Sequence, residues 1–301
     1  MSTDVSIPYI VMNRLSDLRK TRQLFHEDPY MRSFESKVLE AVEANGNVFV
    51  VLEETCFHPQ GGGQPADTGH IEGENSKLEV LDTQSIGGVI IHISRMKLGE
   101  IRVDDLLRGE ISWDTRYTYM KQHTASHIVF SAVQRILKID DLQYMGFELG
   151  KEKARMDINY GKPISPEELR GIETFSNTIC LESRPVKSWQ TTREEAEGTY
   201  GDRLGLTDVT PAGKVRVVEV QDWDTSLCSG THVGSTSECT PIRILGRFRL
   251  QKGVERLEFT SGKAAFQYIE RDLETLNQLG RLLSIPVEKL SERVKRLVED
   301  T

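Results

Sequence analysis

The stretch HTASHIVFSAVQRIL, residues 123–137, decides how this chain is interpreted. Its apolar residues recur at intervals of three and four, at Ala125, Ile128, Val129, Ala132, Val133, Ile136 and Leu137. That spacing predicts a helix with one buried face, and the change of period starts near Trp113. Because four residues turn a helix by about 400°, His123 and His127 lie on nearly the same face, one turn apart. Two imidazoles in this arrangement can share one metal ion.

A second pair of metal-ligand residue types lies far downstream in CSGTHV, residues 228–233, where Cys228 and His232 are again four residues apart. Gly230, between them, gives the backbone freedom to turn the two ligands inward. Either pair alone is more often structural than metal-binding. Together they supply one thiolate and three imidazoles, a tetrahedral set suited to Zn²⁺. Cys56 and Cys180 are interpreted as small buried residues, and so is Cys239, which lies close enough to Cys228 to be an alternate ligand.

Two common enzyme motifs are excluded. In the zinc peptidase motif H-E-x-x-H the residue after the first histidine is a glutamate that acts as the general base, whereas here that residue is Thr124. The glycine run GGGQP, residues 61–65, lacks the Gly-Lys-Ser/Thr ending of a phosphate-binding loop. The site predicted from the histidines is therefore neither a peptidase nor a nucleotide-binding site of that type.

Composition limits the class of protein. The chain has 301 residues, a formal net charge of -8 and four cysteines without regular spacing. It is long enough for two or three cores, and no apolar run approaches the roughly 20 residues that span a bilayer. The N-terminus does not resemble a secretion signal, so a cytoplasmic location without membrane contact is predicted. The negative charge argues against broad non-specific binding of nucleic acid, although a local basic patch can still bind it.

Hydrophobic periodicity predicts an α+β fold. Short strands dominate the first third, including a hairpin turned at Asn45 and Gly46, and are spaced as in a small barrel or meander. The middle alternates strands with a helix that begins after Ser165 as N-cap, which predicts a mixed or antiparallel sheet. From Lys263 the pattern is helical. The predicted regions are a β-barrel-like domain with a glycine-rich motif (1–112), a metal-binding α+β domain (113–262) and a C-terminal helical segment (263–301).

The two metal motifs resemble those of the editing domain of alanyl-tRNA synthetase and of its free-standing AlaX-type relatives. Upstream, CFHPQGGGQPADTGHI (56–71) is similar to the glycine-rich motif of longer members of that family. Supporting fragments follow in the family's order: ISWDTRYTYMKQHTASH (111–127), GFELGKEKARMDINY (146–160), VRVVEVQDWDTSLCSGTHV (215–233) and GVERLEFTSG (253–262). The resemblance covers about residues 20 to 262. Since it includes no adenylation domain, the chain resembles a stand-alone editing protein.

The resemblance implies an aminoacyl-tRNA deacylase that removes serine or glycine from tRNA for alanine in trans, with Zn²⁺ as cofactor. An aminoacyl ester is activated relative to a peptide, so positioned water needs less help from a base. The residues assigned to the site are the metal ligands His123, His127, Cys228 and His232, the catalytic hydroxyls Thr124 and Thr231, and the substrate contacts Gln143, Gly62, Gly63 and Gln64. Local capping is an equally good explanation of the two hydroxyls.

The number of predicted ligands conflicts with a catalytic zinc. Catalytic zinc normally keeps one position open, whereas this set fills four. We expect either that His232 or His127 is displaced or loosely bound, or that the metal expands to five ligands with substrate. A tRNA-binding module with structural zinc is the alternative, and removal of serine from tRNA for threonine is another, because threonyl-type editing domains have similar motifs.

The mischarged tRNA must also be held at its acceptor end. On the strand IRILGRFRL, residues 242–250, alternation predicts a basic face of Arg247, Arg249 and Gln251, with Phe248 and Leu250 as an apolar anchor on the other face. Arg247, Arg249 and Lys252 are the predicted tRNA contacts, although a basic strand face that is merely solvated explains them equally well. The C-terminal helices either pack back on the preceding domain, join two copies in a homodimer, or lead to a further domain.

Overall fold

The structure, a computed structural model, describes residues 6–15, 18–204 and 213–299. The elements of its first part are α1 (Tyr9–Leu15), β1 (Arg22–Gln23), α2 (Leu24–Glu27), β2 (Ser33–Ala44), β3 (Asn47–Leu52), β4 (Glu54–Thr55), β5 (Gly69–Glu72), β6 (Lys77–Ile86), β7 (Val89–Leu98) and β8 (Leu106–Ile111). The antiparallel strands β2-β3-β7-β6-β5-β8, in that order, close into a barrel. The predicted barrel is thereby confirmed, with a strand order more complex than a meander.

The barrel follows from period-two patterning. Strand β8 alternates exposed and buried residues along its whole length. The inward residues of neighbouring strands, such as Val38, Leu52 and Leu78, are fully buried in one cluster. The β2–β3 hairpin turns at Asn45 and Gly46, whose φ angles of 54° and 76° are those a tight hairpin needs. The predicted hairpin is confirmed.

The second part is α+β. Its elements are α3 (Trp113–Leu137), β9 (Tyr144–Leu149), β10 (Ala154–Asn159), α4 (Pro166–Leu181), β11 (Val186–Thr192), α5 (Arg193–Tyr200), β12 (Lys214–Val220), β13 (Asp224–Leu227), β14 (Ile242–Gln251) and β15 (Val254–Ser261). The strands form two antiparallel sheets, ordered β14-β15-β10-β9 and β11-β12-β13. Helix α3 carries the apolar face predicted from its sequence, which is buried in the main core.

Helix α4 begins as its sequence predicts. The Ser165 hydroxyl accepts a hydrogen bond from the Glu168 backbone N–H at 3.1 Å, and the Ser165 N–H donates to Glu168 Oε2 at 2.6 Å. This capping box satisfies two N–H groups that a helix start leaves without intrahelical partners. Helix α4 then packs along α3 and supports the helix that carries the two histidines.

A buried ion pair joins the barrel to α3. The Arg116 guanidinium, in the first turns of α3, donates from Nε to both carboxylate oxygens of Asp67 at 3.0 and 2.8 Å, and from Nη1 to the Pro29 carbonyl at 3.1 Å. Asp67 belongs to the glycine-rich loop and also accepts from the His58 backbone N–H. Both charged side chains are almost completely buried. This pair therefore sets the glycine-rich loop against the helix that carries His123 and His127.

The C-terminal segment consists of α6 (Gly262–Leu283) and α7 (Leu290–Glu299). The predicted continuation of the last helix falls on residues 300 and 301, outside the described residues. Apolar residues of α6 remain exposed, among them Phe266, Leu273 and Leu276. Among the described residues, no helix is long and apolar enough to cross a membrane. Helix α3 begins at Trp113 and α6 at Gly262, but the division into 1–112, 113–262 and 263–301 stays a prediction.

Candidate metal centre

The four predicted metal ligands meet at one point. The ligand atoms of His123, His127, Cys228 and His232 all lie within 4.8 Å of one another. Cys228 Sγ is 3.2 Å from His123 Nε2 and 3.3 Å from His232 Nε2. Tetrahedral zinc with ordinary bond lengths holds a sulfur and a nitrogen ligand roughly 3.5 Å apart. The cluster therefore has the dimensions of a site for one metal ion.

Hydrogen bonds from Arg216 of β12 hold the CSGTH loop, residues 228–232, against helix α3. Arg216 of β12 accepts at its carbonyl from the Cys228 N–H at 3.1 Å and donates from Nη1 to the Cys228 and Gly230 carbonyls at 2.9 and 2.8 Å. A Cβ atom on Gly230 would lie 2.1 Å from His123 Cε1. Gly230 is predicted to give the backbone freedom, but its φ angle is not positive, and what requires a glycine here is the close contact with the imidazole.

Each imidazole is oriented through its Nδ1 atom. His123 Nδ1 is 2.9 Å from Gln64 Oε1, His127 Nδ1 is 2.8 Å from Asp224 Oδ2, and His232 Nδ1 is 3.1 Å from Thr124 Oγ1. Gln64 Oε1 also accepts from the backbone N–H of Thr231 at 3.0 Å, which assigns the amide orientation. The acceptors Gln64 and Asp224 assign the Nδ1–H tautomer to two of the histidines. With Thr124 in the same place for His232, the Nε2 lone pairs face the centre.

The electrostatics of the cluster also favour a cation. Burial tends to raise the pKa of the Cys228 thiol, but the adjacent His123 and His232 hold it well below its ordinary value. Burial tends to lower the pKa of His127, but hydrogen bonds to Asp224 and Cys228 raise it to about 10. The nitrogen lone pairs and the thiolate thus converge in a buried place where either protons or a metal ion must neutralise them. The residues fit a bound divalent metal.

The predicted catalytic hydroxyls are both fully buried and engaged in this framework. Thr124 Oγ1 braces His232 and accepts from the Val233 N–H at 3.2 Å. Thr231 Oγ1 accepts from Gln64 Nε2 at 2.8 Å. Their observed contacts are those of positioning residues, and a role in contact with substrate stays a prediction.

The glycine-rich motif forms a tight turn against the site. Gly61 and Gln64 exchange backbone hydrogen bonds, and the central Gly62 and Gly63 have φ angles of 58° and 79°. A Cβ atom on Gly63 would lie 2.5 Å from the ring of Phe147 on β9. Only glycine at this position therefore lets the turn approach β9 and bring Gln64 into the cluster. Substrate contact by Gly62, Gly63 and Gln64 stays a prediction.

Gln143 is exposed, and its backbone N–H donates to Asn159 Oδ1 at 2.7 Å. An aromatic group that sequence reasoning missed lies beside it. The Tyr144 ring stacks on Phe130 with centroids 4.0 Å apart, and Phe147 lies 5.8 Å from the His123 ring. Phe130 follows His127 by three residues on α3, so helical spacing is a signal that could have identified it. Nothing in the sequence pattern marks Tyr144 or Phe147.

Two further histidines, also missed, hold the ligand loop from the barrel side. His26 Nε2 lies 2.8 Å and His58 Nε2 3.3 Å from the Ser229 carbonyl, next to Cys228. Burial lowers the pKa of His26 to about 4. His58 Nδ1 is buried without a hydrogen-bond partner among the described residues. His26 and His58 approach Ser229 only because the chain folds, so no spacing in the sequence indicates these contacts.

The structure of β14, the predicted tRNA-binding strand, contradicts part of what its alternating sequence predicts. Arg247 and Arg249 share a face of β14, as predicted, since they pair in register with Leu257 and Glu255 of β15. Register shifts at Leu245 and Leu250 reverse the faces, so Phe248 and Leu250 are 51% and 46% exposed and do not anchor the strand. The second shift also separates Gln251 from the basic face. Arg247 forms an ion pair with buried Glu255 at 3.2 Å, while Arg249 and Lys252 are exposed.

Cys239 is not part of the cluster. It is buried, and its thiol lies 3.5 Å from the Lys121 carbonyl. Cys56 and Cys180 are also free and buried. These positions agree with the interpretation of the three as core residues, and the alternate-ligand role considered for Cys239 is not supported.

Two protein-family models match parts of this chain. Residues 12–115 match the family model described as tRNA synthetases class II (A). Residues 215–258, which include Cys228 and His232, match the threonyl and alanyl tRNA synthetase second additional domain. The alanine–tRNA ligase of Saccharolobus islandicus is 37% identical over 298 residues, which is 98% of this chain and 33% of that protein. This chain is homologous to alanyl-tRNA synthetase.

Further alanine–tRNA ligases show the same extent of similarity. That of Pyrococcus abyssi is 40% identical over 286 residues, 95% of this chain and 31% of the ligase. That of Thermococcus kodakarensis is 37% identical over 287 residues, 95% of this chain and 30% of the ligase. The chain thus spans about a third of the length of these alanine–tRNA ligases. The homology includes the barrel and the metal cluster alike.

Proposed function

We propose that this chain is a zinc-dependent hydrolase that deacylates mischarged tRNA, removing serine or glycine from tRNA for alanine in trans, as the AlaX resemblance implies. The observation that carries the proposal is the convergence of His123, His127, Cys228 and His232 in a chain homologous to alanine–tRNA ligase. Three imidazole nitrogens and one thiolate favour zinc among the common divalent ions. A cytoplasmic location goes with this function, because charged tRNA is used there.

The reaction suits a site with a threonine where a peptidase has its general base. An aminoacyl ester is cleaved more readily than a peptide, so holding water and carbonyl in place contributes a large part of the rate. Bound zinc would polarise the ester carbonyl or hold the substrate's amino group. The residues around the cluster keep the ligands oriented: Gln64 through His123 and Asp224 through His127. The turn at Gly62 and Gly63 carries no side chains, and its backbone is proposed as a contact of the acceptor end.

The rest of the tRNA would contact the β14–β15 hairpin. Arg249 and Lys252 are exposed there and free to contact phosphate, whereas Arg247 is already paired with Glu255. The protein's net charge of -8 requires such a local basic surface if tRNA is to bind. Gln143, exposed near the aromatic group of Tyr144 and Phe147, is proposed as a further contact on the substrate side.

Two observations keep alternatives in view. The matched second additional domain is described for threonyl as well as alanyl tRNA synthetases, which favours a test with serine on tRNA for threonine. The four ligands also suffice for a closed, purely structural zinc in a tRNA-binding module. These alternatives differ from the main proposal in substrate and in activity, so one set of assays separates them.

The test is hydrolysis of labelled aminoacyl-tRNA by the purified chain, with and without a zinc chelator. The substrates are tRNA for alanine charged with serine, glycine or alanine, and tRNA for threonine charged with serine. We expect chelator-sensitive release of serine or glycine from tRNA for alanine, and loss of release in Cys228→Ser. The control is His70→Ala, which removes an exposed imidazole of the barrel.

Other outcomes separate the alternatives. Release of serine from tRNA for threonine alone would establish the threonyl alternative. A chain that retains zinc and binds tRNA but releases no amino acid from any substrate would refute the enzyme and leave the binding module.

A further inference from the structure

The three histidines of the cluster form hydrogen bonds at Nδ1 that differ greatly in strength. His127 donates to the carboxylate of Asp224, and both residues are 8% exposed. That carboxylate also accepts from the Ser131 and Ser226 hydroxyls, each at 2.8 Å. A hydrogen bond from imidazole to a buried, oriented carboxylate is charge-assisted, and it increases the basicity of the ligand nitrogen. His127 is therefore the most firmly held of the three.

His123 has an intermediate brace. Its partner Gln64 is neutral, but the amide is fixed at both ends, by the Thr231 backbone N–H at 3.0 Å and the Thr231 hydroxyl at 2.8 Å. A doubly anchored amide holds the imidazole in one orientation, although it adds no charge. Gly230 packs against the same ring and limits its movement.

His232 has the weakest brace. The Thr124 hydroxyl is a neutral partner whose oxygen lies 3.1 Å from His232 Nδ1, and the same oxygen also accepts from the Val233 N–H at 3.2 Å. His232 lies in a segment without regular secondary structure, whereas His123 and His127 lie within helix α3. Movement of the His232 ring away from the other three residues therefore breaks one neutral hydrogen bond at Nδ1 and no helical backbone bonds.

We propose that His232 is the exchangeable ligand of the metal centre and that Asp224 is the positioning residue that makes His127 a permanent one. The inference rests on the proposed metal site, and it explains how a set of four protein ligands can provide an open position for substrate. It also chooses between His127 and His232, which the sequence leaves equivalent. Thr124 then holds His232 in place without preventing its release.

The test measures metal affinity and coordination, with Co²⁺ as a spectroscopic probe and Zn²⁺ competition for affinity. The variants are His127→Ala, His232→Ala and Asp224→Asn in the full chain. We expect His232→Ala to weaken affinity by no more than about 10-fold and to keep the thiolate-to-cobalt absorption band. We expect Asp224→Asn to weaken it by about 10–100-fold, as removal of a partner of a metal-bound histidine does. His127→Ala is expected to lose at least as much.

Two further measurements distinguish ligand exchange from general damage. Added imidazole is expected to restore the cobalt spectrum of His232→Ala, because it fills the vacated position. Thr124→Ser, which keeps the hydroxyl, is expected to bind Co²⁺ as the parent does, and Thr124→Val to change affinity less than Asp224→Asn. Circular dichroism of each variant checks that the fold is retained.

The inference is wrong if His232→Ala loses as much affinity as His127→Ala, if Asp224→Asn has no effect, or if the parent chain binds neither Co²⁺ nor Zn²⁺. None of these readouts depends on deacylation. A chain with the expected order of affinities but no hydrolysis would therefore retain this inference and refute the proposed reaction.

Discussion

Gln64 of the barrel and His123 of helix α3 are joined by a hydrogen bond of 2.9 Å between Oε1 and Nδ1. The two residues are far apart in the chain, and Gln64 is 1% exposed. The glycine-rich turn that carries Gln64 is therefore part of the candidate metal centre. A residue of the barrel part thus sets the orientation of a predicted metal ligand on helix α3.

Truncation of Gln64 tests that relationship. In Gln64→Ala, His123 loses its acceptor and Thr231 loses both of its bonds to the amide, so we expect metal affinity to fall about 10–100-fold. The matched control is Gln60→Ala in the same loop, because Gln60 is exposed and its backbone N–H, which the substitution keeps, donates to the Thr83 carbonyl. Competition with a chromophoric chelator measures both. Equal affinities for the two variants would contradict the assignment.

Gly230 is expected to tolerate no side chain. The Cβ of Gly230→Ala would meet His123 at 2.1 Å and Gln64 Oε1 at 2.7 Å, so the imidazole must move away from Cys228. We expect metal binding to weaken by at least about 10-fold, as it does when a ligand loses its orientation. Gly234→Ala is the control, since its Cβ would meet nothing nearer than the Tyr30 hydroxyl at 3.5 Å. Metal content after dialysis reports the difference, and full retention in Gly230→Ala would show that the loop can move aside.

Stability is expected to fall in mild acid because of His92. Its ring is fully buried between the Val50 carbonyl and the Thr55 hydroxyl, and burial lowers its pKa from 6.5 to about 4. Between these values the unfolded chain binds the proton and the folded chain does not, so the free energy of unfolding decreases as pH falls. The contribution is at most roughly 3 kcal/mol, and it is complete below the lower pKa.

Urea unfolding of the parent chain and of His92→Gln at several pH values across this acidic range checks the prediction. The glutamine variant is expected to be less stable at neutral pH but to show a smaller decrease in acid. His70→Gln, at an exposed position, is expected to leave the pH dependence unchanged. A decrease of the same size in the parent and in His92→Gln would refute the role of His92.

The basic hairpin makes different predictions for its three cations. Replacing exposed Arg249 and Lys252 by alanine is expected to weaken tRNA binding and to reduce the slope of log affinity against log salt by about 1 for each phosphate that is no longer neutralised. Arg247→Ala leaves the buried Glu255 without its ion-pair partner, so we expect lower stability as well. Filter binding over a range of salt, with thermal unfolding as a second measurement, separates the two effects. An unchanged salt slope would exclude this hairpin from tRNA binding.

The exposed apolar residues of α6 are expected to join two copies of the chain. Leu273 and Leu276 are 53% and 40% exposed on a helix whose apolar residues recur at three and four. Light scattering of the parent chain is expected to give the mass of a dimer, and Leu273→Lys with Leu276→Lys that of a monomer. Gln267→Lys with Gln278→Lys introduces the same two charges at exposed polar positions of this helix and is the control. A monomeric parent would rule out this pairing.

Several features of the site could be predicted because local physics is enough for them. Helical spacing places His123 and His127 on one face, and a turn with Asn45 and Gly46 requires a hairpin whatever surrounds it. The placement of Gln251 on the basic face of β14, and of Phe248 and Leu250 as its apolar anchor, was predicted wrongly for the opposite reason. Two register shifts, produced by pairing with β15, reverse which side chains face outward, and alternation along one strand contains no information about its partner.

The sequence by itself determined the helix that carries His123 and His127, the four residues that converge in the candidate metal site and the absence of a peptidase base at Thr124. Only the tertiary structure decided how those ligands are held. Gln64, Asp224 and Thr124 come from three separate parts of the chain, and their distances to the imidazoles result from the packing of the barrel and β13 against α3. Hydrogen-bond geometry between such distant residues depends on the whole fold. Spacing within the sequence therefore cannot indicate how firmly each of the three histidines is held.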